Sequence, residues 1–312
     1  MKINISVVIP IYNEIGSLPD LCQQLNTVLT TLKPFEIIFI DDGSTDGSGD
    51  YLHGLATEDE NVILIQFQRN YGKAAALAEG FRQAQGEYIV TIDGDLQDDP
   101  AEIPNLLKKI EAGYDLVSGW KKDRKDPIGK KIPSRFFNFI TRVFTGVKIH
   151  DFNCGLKIYR KSVIKTLDLY GGRHRYIPAL AGQKNFKITE IAVNHRPRLH
   201  GESKYGGARL FHGFFDLLSV LFLGRYNQSP LYLFGQIGFF TTITGLIIEL
   251  YVMYLKYSLG EPFQKHVALL LFGILIIVVG IQFFSIGLIG EMIAQANQGK
   301  ETRIKSLVKK TL

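Results

Sequence analysis

The chain has 312 residues, of which 46% are apolar, and it carries 36 Lys and Arg against 30 Asp and Glu. This composition excludes a disordered, collagen-like or disulfide-stapled protein, and the length allows two domains. The net charge is unevenly distributed, because residues 1–120 hold 7 bases and 19 acids (7 − 19 = −12), whereas residues 121–312 hold 29 and 11 (29 − 11 = +18). This split indicates that the two halves meet different partners.

The cysteines and the N-terminal residues indicate a cytosolic location. Cys22 and Cys154 are too few for a zinc site or a disulfide framework, so we expect two reduced thiols packed in the core. The first apolar run, residues 5–9, stops at Pro10 and is too short for a secretory signal. We therefore expect the N-terminal part of the chain in the cytosol.

The first 120 residues alternate short β-branched runs with helical patterns, as a parallel, doubly wound sheet requires. The predicted strands are residues 6–9, 36–40, 62–67, 88–92 and 115–118. In such sheets ligands bind at the carboxyl ends of the strands. The residues that directly follow each strand are therefore the candidates for a functional site.

Acidic residues follow three of these strands, in the segments Pro10–Glu14, Asp41–Asp46 and Asp93–Pro100. An acidic crevice would repel a phosphorylated substrate unless a divalent cation lies between them. Asp93 and Asp95, one glycine apart, suit a hard cation that keeps positions open for substrate phosphates. The same pattern also occurs in turns and helix caps, and the residues just before Pro100 resemble a helix start.

Two long uncharged segments follow in the C-terminal third, 23 residues between Arg225 and Glu249 and 24 residues between His266 and Glu291. Each exceeds the roughly 20 residues that cross a hydrocarbon core of about 30 Å. Two buried helices of a soluble bundle are the alternative. The bases of the tail outnumber Lys256 and Lys265 of the connecting loop, so we expect a cytoplasmic tail. The tail bases are Lys300, Arg303, Lys305, Lys309 and Lys310.

Two amphipathic segments precede these spans. Residues 207–224 place Arg209, His212, Asp216 and Ser219 on one polar stripe of a helix whose other faces are apolar. A second aromatic segment, residues 135–143, follows the basic loop 121–131. Both patterns suit a membrane interface with anionic headgroups, and packing against the protein core is the competing interpretation.

Five motifs in this order resemble those of the family 2 glycosyltransferases. They are V-V-I-P-I-Y-N-E, D-D-G-S-T-D-G-S, R-N-Y-G-K-A-A-A, D-G-D-L-Q-D-D-P and F-N-C-G-L-K-I-Y-R. The resemblance is strongest to the polyprenyl-phosphate branch, which includes dolichyl-phosphate mannose synthases and, most similar, bactoprenol glucosyltransferases. It implies an α/β, Rossmann-like GT-A domain with a mixed, mainly parallel sheet, followed by interfacial amphipathic helices and two transmembrane helices.

The resemblance also implies domain boundaries. A cytosolic catalytic domain would span residues 1–205, with a nucleotide-binding part (1–120) and an acceptor part (121–205). An interfacial helix (206–225), a transmembrane hairpin (226–292) and a basic cytosolic tail (293–312) would follow.

Roles for individual residues come from the same resemblance. The nucleotide sugar would be bound by Pro10, Tyr12, Glu14, Asp42, Lys73 and Asp93. Mg²⁺ or Mn²⁺ would be held by Asp93, Asp95 and Gln97. Asp151 would be the catalytic base or would position the acceptor. The lipid phosphate would be bound by Arg135, Arg198 and Lys204. Each of these residues has an ordinary structural alternative, such as a turn, a cap or a solvated base.

The expected reaction is an inverting transfer of a sugar, glucose from UDP-glucose, to a polyprenyl phosphate on the cytosolic leaflet of an inner or plasma membrane. Membrane lipids are expected partners and nucleic acid is not. Gly235, Gly238 and Gly245 would permit close helix packing between subunits, so we expect a homo-oligomer.

Three other functions are weighed against this one. A processive polysaccharide synthase would carry a Q-x-x-R-W motif, but the single tryptophan is Trp120. A nucleotide-dependent oxidoreductase would carry a G-x-G-x-x-G after the first strand, which is absent. A non-catalytic membrane scaffold would keep the fold but lose the metal ligands.

Overall fold

The computed structural model describes residues 3–122, 128–197, 215–222 and 229–297. The chain forms two compact units, Met1–Leu221 and Phe222–Leu312. The first unit contains the strands β1 (Ile5–Ile11), β2 (Phe35–Asp41), β3 (Val62–Gln66), β4 (Tyr88–Thr91), β5 (Leu116–Trp120), β6 (Lys157–Arg160) and β7 (Ile188–Ala192). Its helices are α1 (Leu18–Leu29), α2 (Ser48–Glu58), α3 (Lys73–Gln83), α4 (Ile103–Glu111), α5 (Ile128–Thr145), α6 (Lys161–Ile164), α7 (Ile177–Gln183) and α8 (residues 215–222).

These strands form one seven-stranded mixed sheet in the order β3-β2-β1-β4-β6-β5-β7. The first four positions of this order are all parallel, whereas β6 is antiparallel to both of its neighbours. β5 and β7 pair in parallel at the far edge. The mixed, mainly parallel sheet is therefore confirmed, and each predicted strand overlaps an observed one.

Helices cover both faces of the sheet. On one face Val7 and Ile9 of β1 pack with the apolar stripes of α1 and α4. On the other face Val8 packs with Leu77 and Phe81 of α3. Strands buried on both faces have near-continuous apolar sequences, which is why β1 and β2 are the clearest strand signals in the chain.

A third apolar cluster joins α5, α7 and α8. Leu217 and Val220 of α8 are buried in it, whereas Phe215 and Leu218 are exposed. Asp216 is not on a purely solvent-facing stripe, because its carboxylate lies 3.8 Å from the Arg175 guanidinium. The described part of the predicted interfacial helix therefore buries one face within the first unit and exposes the other; the rest lies outside the described residues.

The exposed face of α8 has a counterpart on α5. Phe137 and Ile140 of α5 pack against the third cluster, while Phe139, Val143 and Phe144 are exposed. Exposed large apolar side chains on two helices of the same cluster are the feature expected of a surface that meets membrane lipid.

The second unit is a helical hairpin of α9 (Pro230–Tyr257) and α10 (Val267–Asn297). Both helices are long and apolar enough to cross a membrane, and most of their apolar side chains are exposed. α9 continues eight residues beyond Glu249, so this carboxylate lies within the helix and not at its end.

Glycines bring the two helices of the hairpin together. A Cβ at Gly238 would lie 2.6 Å from the Gly280 carbonyl oxygen, and one at Gly245 would lie 2.9 Å from that of Gly273. Gly235 also approaches Phe284 of α10. These three glycines therefore pack α9 against α10 of the same chain, so the close packing assigned to subunit contacts in the sequence has an intramolecular explanation.

Candidate active site

The loops after β1 and β2 are joined by hydrogen bonds. The Asn13 amide donates to Ser44 Oγ (2.9 Å), the Thr45 amide donates to Asn13 Oδ1 (2.8 Å), and the Glu14 amide donates to Ser48 Oγ (3.1 Å). Asn13 has φ 54°, a left-handed conformation that asparagine tolerates. The predicted nucleotide ligands Tyr12 and Glu14 are thereby held half-buried beside the second loop. Pro10 lies near the end of β1, where it pairs with Ile40 of β2.

Asp42 holds the loop that precedes α3. Its carboxylate accepts hydrogen bonds from the amides of Tyr71 (2.7 Å) and Gly72 (2.9 Å). Burial raises the pKa of Asp42, and these two hydrogen bonds offset the increase only in part. Gly43 makes the approach possible, because a Cβ there would lie 2.6 Å from the Arg69 carbonyl carbon. The observed contacts of Asp42 thus position Lys73, which begins α3.

Lys73 and Asp93 form an ion pair at the carboxyl end of β4. The Lys73 ammonium lies 2.5 Å from Asp93 Oδ1. Burial would raise the pKa of Asp93, but the charges of Lys73, Lys121 and Lys157 outweigh burial and lower this pKa to about 2. Gly155 lies directly against the carboxylate, since a Cβ there would be 2.5 Å from Asp93 Cγ. The motifs R-N-Y-G-K, D-G-D and N-C-G therefore meet at one point.

The other two predicted metal ligands, Asp95 and Gln97, follow Asp93 in the loop after β4. Asp95 is buried, and its Oδ1 accepts a 3.2 Å hydrogen bond from the Gln97 amide. Among the described residues no group of three His, Cys, Asp or Glu side chains is placed to hold a metal ion. Two carboxylates at a strand end still fit Mg²⁺ or Mn²⁺, which take one or two protein carboxylates and complete their coordination with phosphate oxygens and water.

The last acids of this motif have structural partners. Asp98 is fully buried and lies 2.8 Å from the Lys121 ammonium. Asp99 accepts a hydrogen bond from the Ala101 amide (3.0 Å) and pairs with Arg196 (2.6 Å). The helix start expected before Pro100 is therefore present, and Asp99 is its N-cap.

Asp151 precedes the N-C-G segment, whose Gly155 lies against Asp93. The Asp151 carboxylate accepts a hydrogen bond from the Asn153 amide (3.0 Å), which is a local Asx turn. It is buried, and its charge acts on Lys157, as does that of Asp93. The structure thus brings the predicted catalytic acid and the predicted metal ligand to the same buried lysine.

The side chains of the three predicted lipid-phosphate ligands lie outside the described part of the chain. The backbone of Arg135 lies in α5, but its side chain is outside the described part of the chain. Arg198 and Lys204 both lie in residues 198–214, which are also outside it.

Three residues of the site were not predicted from the sequence, namely Lys121, Lys157 and His174. Lys121 and Lys157 are buried around Asp93, and burial together with Lys73 and Arg175 lowers the pKa of His174 to about 3. Lys157 lies in the motif F-N-C-G-L-K-I-Y-R, but no role was predicted for it, and nothing in the spacing of Lys121 distinguishes it among the 36 bases. Lys157 is recognised as a site residue only in the structure, because β6 pairs antiparallel with β4 and thereby places Lys157 opposite Thr91.

The family model described as Glycosyl transferase family 2 matches residues 6–168. This range is more than half of the chain and includes all five motifs. The chain belongs to this family. It is 38% identical over 300 residues to the dodecaprenyl-phosphate galacturonate synthase of Rhizobium johnstonii, covering 94% of this chain and 88% of that protein. It is 34% identical over 310 residues to the undecaprenyl-phosphate 4-deoxy-4-formamido-L-arabinose transferase of Pseudomonas aeruginosa, covering 99% and 90%.

Solved structures of this glycosyltransferase's fold include the glucosyl-3-phosphoglycerate synthase of Mycobacterium tuberculosis in complex with Mn²⁺ and UDP-glucose. The two share 18% identity and a TM-score of 0.55, with 71% of this chain and 78% of the other covered. The same enzyme with UDP alone aligns at a TM-score of 0.55. At this level of identity the likeness establishes the GT-A fold.

Proposed function

We propose that this family 2 glycosyltransferase moves a sugar from a nucleotide sugar to a polyprenyl phosphate. The observation that carries the proposal is the near full-length match to two transferases whose names specify dodecaprenyl or undecaprenyl phosphate. The Lys73–Asp93 ion pair at the end of β4, and the charges of Asp93 and Asp151 that act on buried Lys157, support it.

The donor diphosphate has a site at the carboxyl end of β4. A divalent cation held there by Asp93, Asp95 and Gln97 would polarise the diphosphate and stabilise the leaving nucleoside diphosphate. Lys73, at the first position of α3, would add a positive charge for the diphosphate there, since its ammonium lies 2.5 Å from Asp93 Oδ1. The loops that contain Pro10, Tyr12, Glu14 and Asp42 would enclose the nucleoside.

The acceptor is an anion, so Asp151 is not required to act as a strong base. A phosphate monoester with a second pKa of about 6 is largely ionised at neutral pH, so its oxygen attacks the anomeric carbon without a strong base. Asp151 then orients the acceptor, and the positive charge of Lys157 offsets repulsion between the carboxylate and the phosphate. Arg135, Arg198 and Lys204 would bind the lipid phosphate as it enters. A single displacement inverts the anomeric configuration.

The donor proposed from sequence is UDP-glucose, and the relatives widen the set to be tested. One relative is named for galacturonate and the other for 4-deoxy-4-formamido-L-arabinose. For this chain we infer a UDP-sugar donor.

The two apolar helices would place the protein in the inner or plasma membrane, with the transfer on the cytosolic leaflet. The exposed apolar side chains of α5 and α8 suit contact with lipid at its surface. Homo-oligomer formation is part of the proposal, although the glycines of α9 are already used within the hairpin.

The test is reconstitution of the full chain with undecaprenyl phosphate, Mg²⁺ or Mn²⁺ and UDP-glucose, UDP-galacturonate or the UDP-linked formamido sugar. A polyprenyl-phosphate sugar identified by mass is the expected product. Asp95→Asn should lower the rate by about a hundred-fold or more, since a metal–phosphate contact supplies several kcal/mol in the transition state. Asp20→Asn, on the exposed face of α1, is the matched control. Absence of product from every donor, or full activity of Asp95→Asn, would contradict the proposal.

A further inference from the structure

A pocket on the α3 side of Asp93 contains Thr91, Asn153 and His174, which the proposed transfer does not use, beside lysines that it does use. The space it leaves for a water-sized group is about 20 Å³, enough for one small group such as a single oxygen of a ligand. The polar groups in its wall are Lys73, Thr91, Asp93, Asn153, Lys157 and His174.

Lys157 is the unusual member of this wall. The side chain is 3% exposed, and its ammonium donates to the backbone carbonyl of Cys154. Within residues 3–122 and 128–197 it forms no ion pair, because the neighbouring Asp93 is paired with Lys73. A buried ammonium has three protons to donate and is costly without an anionic partner. Burial lowers the pKa of Lys157, and the charges of Asp151 and Asp93 offset this only in part.

Two further features give the pocket an excess of hydrogen-bond donors and positive potential. His174 Nδ1 is buried and has no hydrogen-bond partner in the part of the chain that the structure describes. The N-terminus of α3 opens beside Lys73, and no side chain caps it. Free amides and the helix dipole at such a terminus favour a negative charge. Asp93 is the single carboxylate among the lining residues.

We propose that Lys157 and His174, beside the N-terminus of α3, form an oxyanion subsite that binds a negatively charged oxygen group of the sugar donor. This inference rests on the proposed function, since it takes the ligand to be a nucleotide sugar. A carboxylate on the transferred sugar and a phosphate oxygen of the donor share this chemistry, and the experiment separates them.

The test measures binding of UDP, UDP-glucose and UDP-galacturonate to the full chain in detergent with Mg²⁺. Lys157→Met should weaken binding by about ten- to a hundred-fold, the range for a hydrogen bond to a charged group. Lys157→Arg, which keeps the charge, should restore most of the affinity, and His174→Phe should show a smaller loss. Lys165→Met, which changes an exposed lysine directly after α6, is the control for a general loss of charge.

The pattern of losses identifies the oxygen group. An equal loss for all three ligands assigns the subsite to a phosphate oxygen, and a loss confined to UDP-galacturonate assigns it to a sugar carboxylate. Unchanged binding of all three by Lys157→Met overturns the subsite but leaves the proposed function standing. Failure of the unaltered protein to bind any of them overturns both.

Thermal unfolding of the same variants guards against a folding defect. Removing a buried charge that has no ionic partner should leave the melting temperature of Lys157→Met equal or higher. A large fall in melting temperature, together with an equal loss of binding in Lys157→Arg and His174→Phe, would instead mean that these side chains support the fold, and would also overturn the subsite.

Discussion

Buried Asp98 shows how a residue of the metal-binding motif can serve the fold. Its side chain is inaccessible, and the Lys121 ammonium, itself only 10% exposed, lies 2.8 Å away. Burial would lower the pKa of Lys121, but the charge of Asp98 outweighs burial and raises this pKa, so the ammonium stays protonated. The pair joins the loop after β4 to the end of β5.

Breaking this pair should destabilise the protein. Lys121→Met leaves a buried carboxylate without its partner, and such a change costs about 3–5 kcal/mol of unfolding free energy. Chemical denaturation of the full chain in detergent measures this cost, and Lys108→Met, on an exposed face of α4, provides the control. The double variant Asp98→Asn/Lys121→Met should lose less than the sum of the two single changes. A loss below about 1 kcal/mol for Lys121→Met would contradict the role given to the pair.

At the scale of elements, the hairpin depends on the close approach of α9 and α10. A side chain at Gly238 would meet the Gly280 carbonyl at 2.6 Å and the Phe284 amide at 2.8 Å, and both are helix backbone that cannot move aside. Gly238→Leu should therefore separate the helices and lower the melting temperature of the full chain in detergent by several degrees. Thr244→Leu, on an exposed face of α9, should leave it within about a degree. Equal melting temperatures for both variants would show that the glycines do not set the packing.

The elements that the sequence predicts well are those whose pattern is local. β1, β2 and β4 are recognised from the near-continuous apolar runs of buried strands, and β3, a partly exposed edge strand, from its β-branched residues. Both apolar helices are recognised from length and lack of charge. β6 is only four residues long and its direction depends on pairing with β4 and β5, so no local pattern indicates it. The face of α8 that packs on Val147 and Tyr176 is likewise set by tertiary contacts.

The site follows the same rule. Asp93, Asp95 and Asp151 were predicted from their motifs. Lys157 belongs to the fifth motif but was given no role, and His174 enters the site from a separate segment. The sequence alone also allows Asp42 to contact nucleotide directly, and its two hydrogen bonds to the loop before α3 appear only in three dimensions.

At the scale of the whole molecule, the charge split has a physical explanation in the proposed function. The net charge of −12 in residues 1–120 includes the few carboxylates that would hold a metal and a nucleotide diphosphate. Lys121 and Lys157, from the basic part of the chain, lie close enough to lower the pKa of Asp93, which is one of these carboxylates. The +18 of residues 121–312 suits the anionic lipid phosphate and headgroups that a membrane transferase meets. The 46% apolar fraction is likewise divided between a water-soluble core and two helices whose apolar side chains are exposed.

Two membrane spans put the ends of the hairpin on the same side of the membrane. At about 1.5 Å per residue, the 28 residues of α9 reach about 42 Å, enough to cross a hydrocarbon core of about 30 Å. The tail beyond Asn297 carries five bases, whereas the loop between the helices has Lys265 beside Glu261. Because positive residues are retained in the cytoplasm, we expect the tail to be cytoplasmic and the loop to face outward.

A reporter fused after Leu312 should be active only in the cytoplasm. A cysteine introduced as Ser258→Cys, in a chain with Cys22 and Cys154 replaced by serine, should react with an impermeant maleimide in intact cells. An outward tail, or a loop cysteine protected until the cells are opened, would contradict the two-span arrangement.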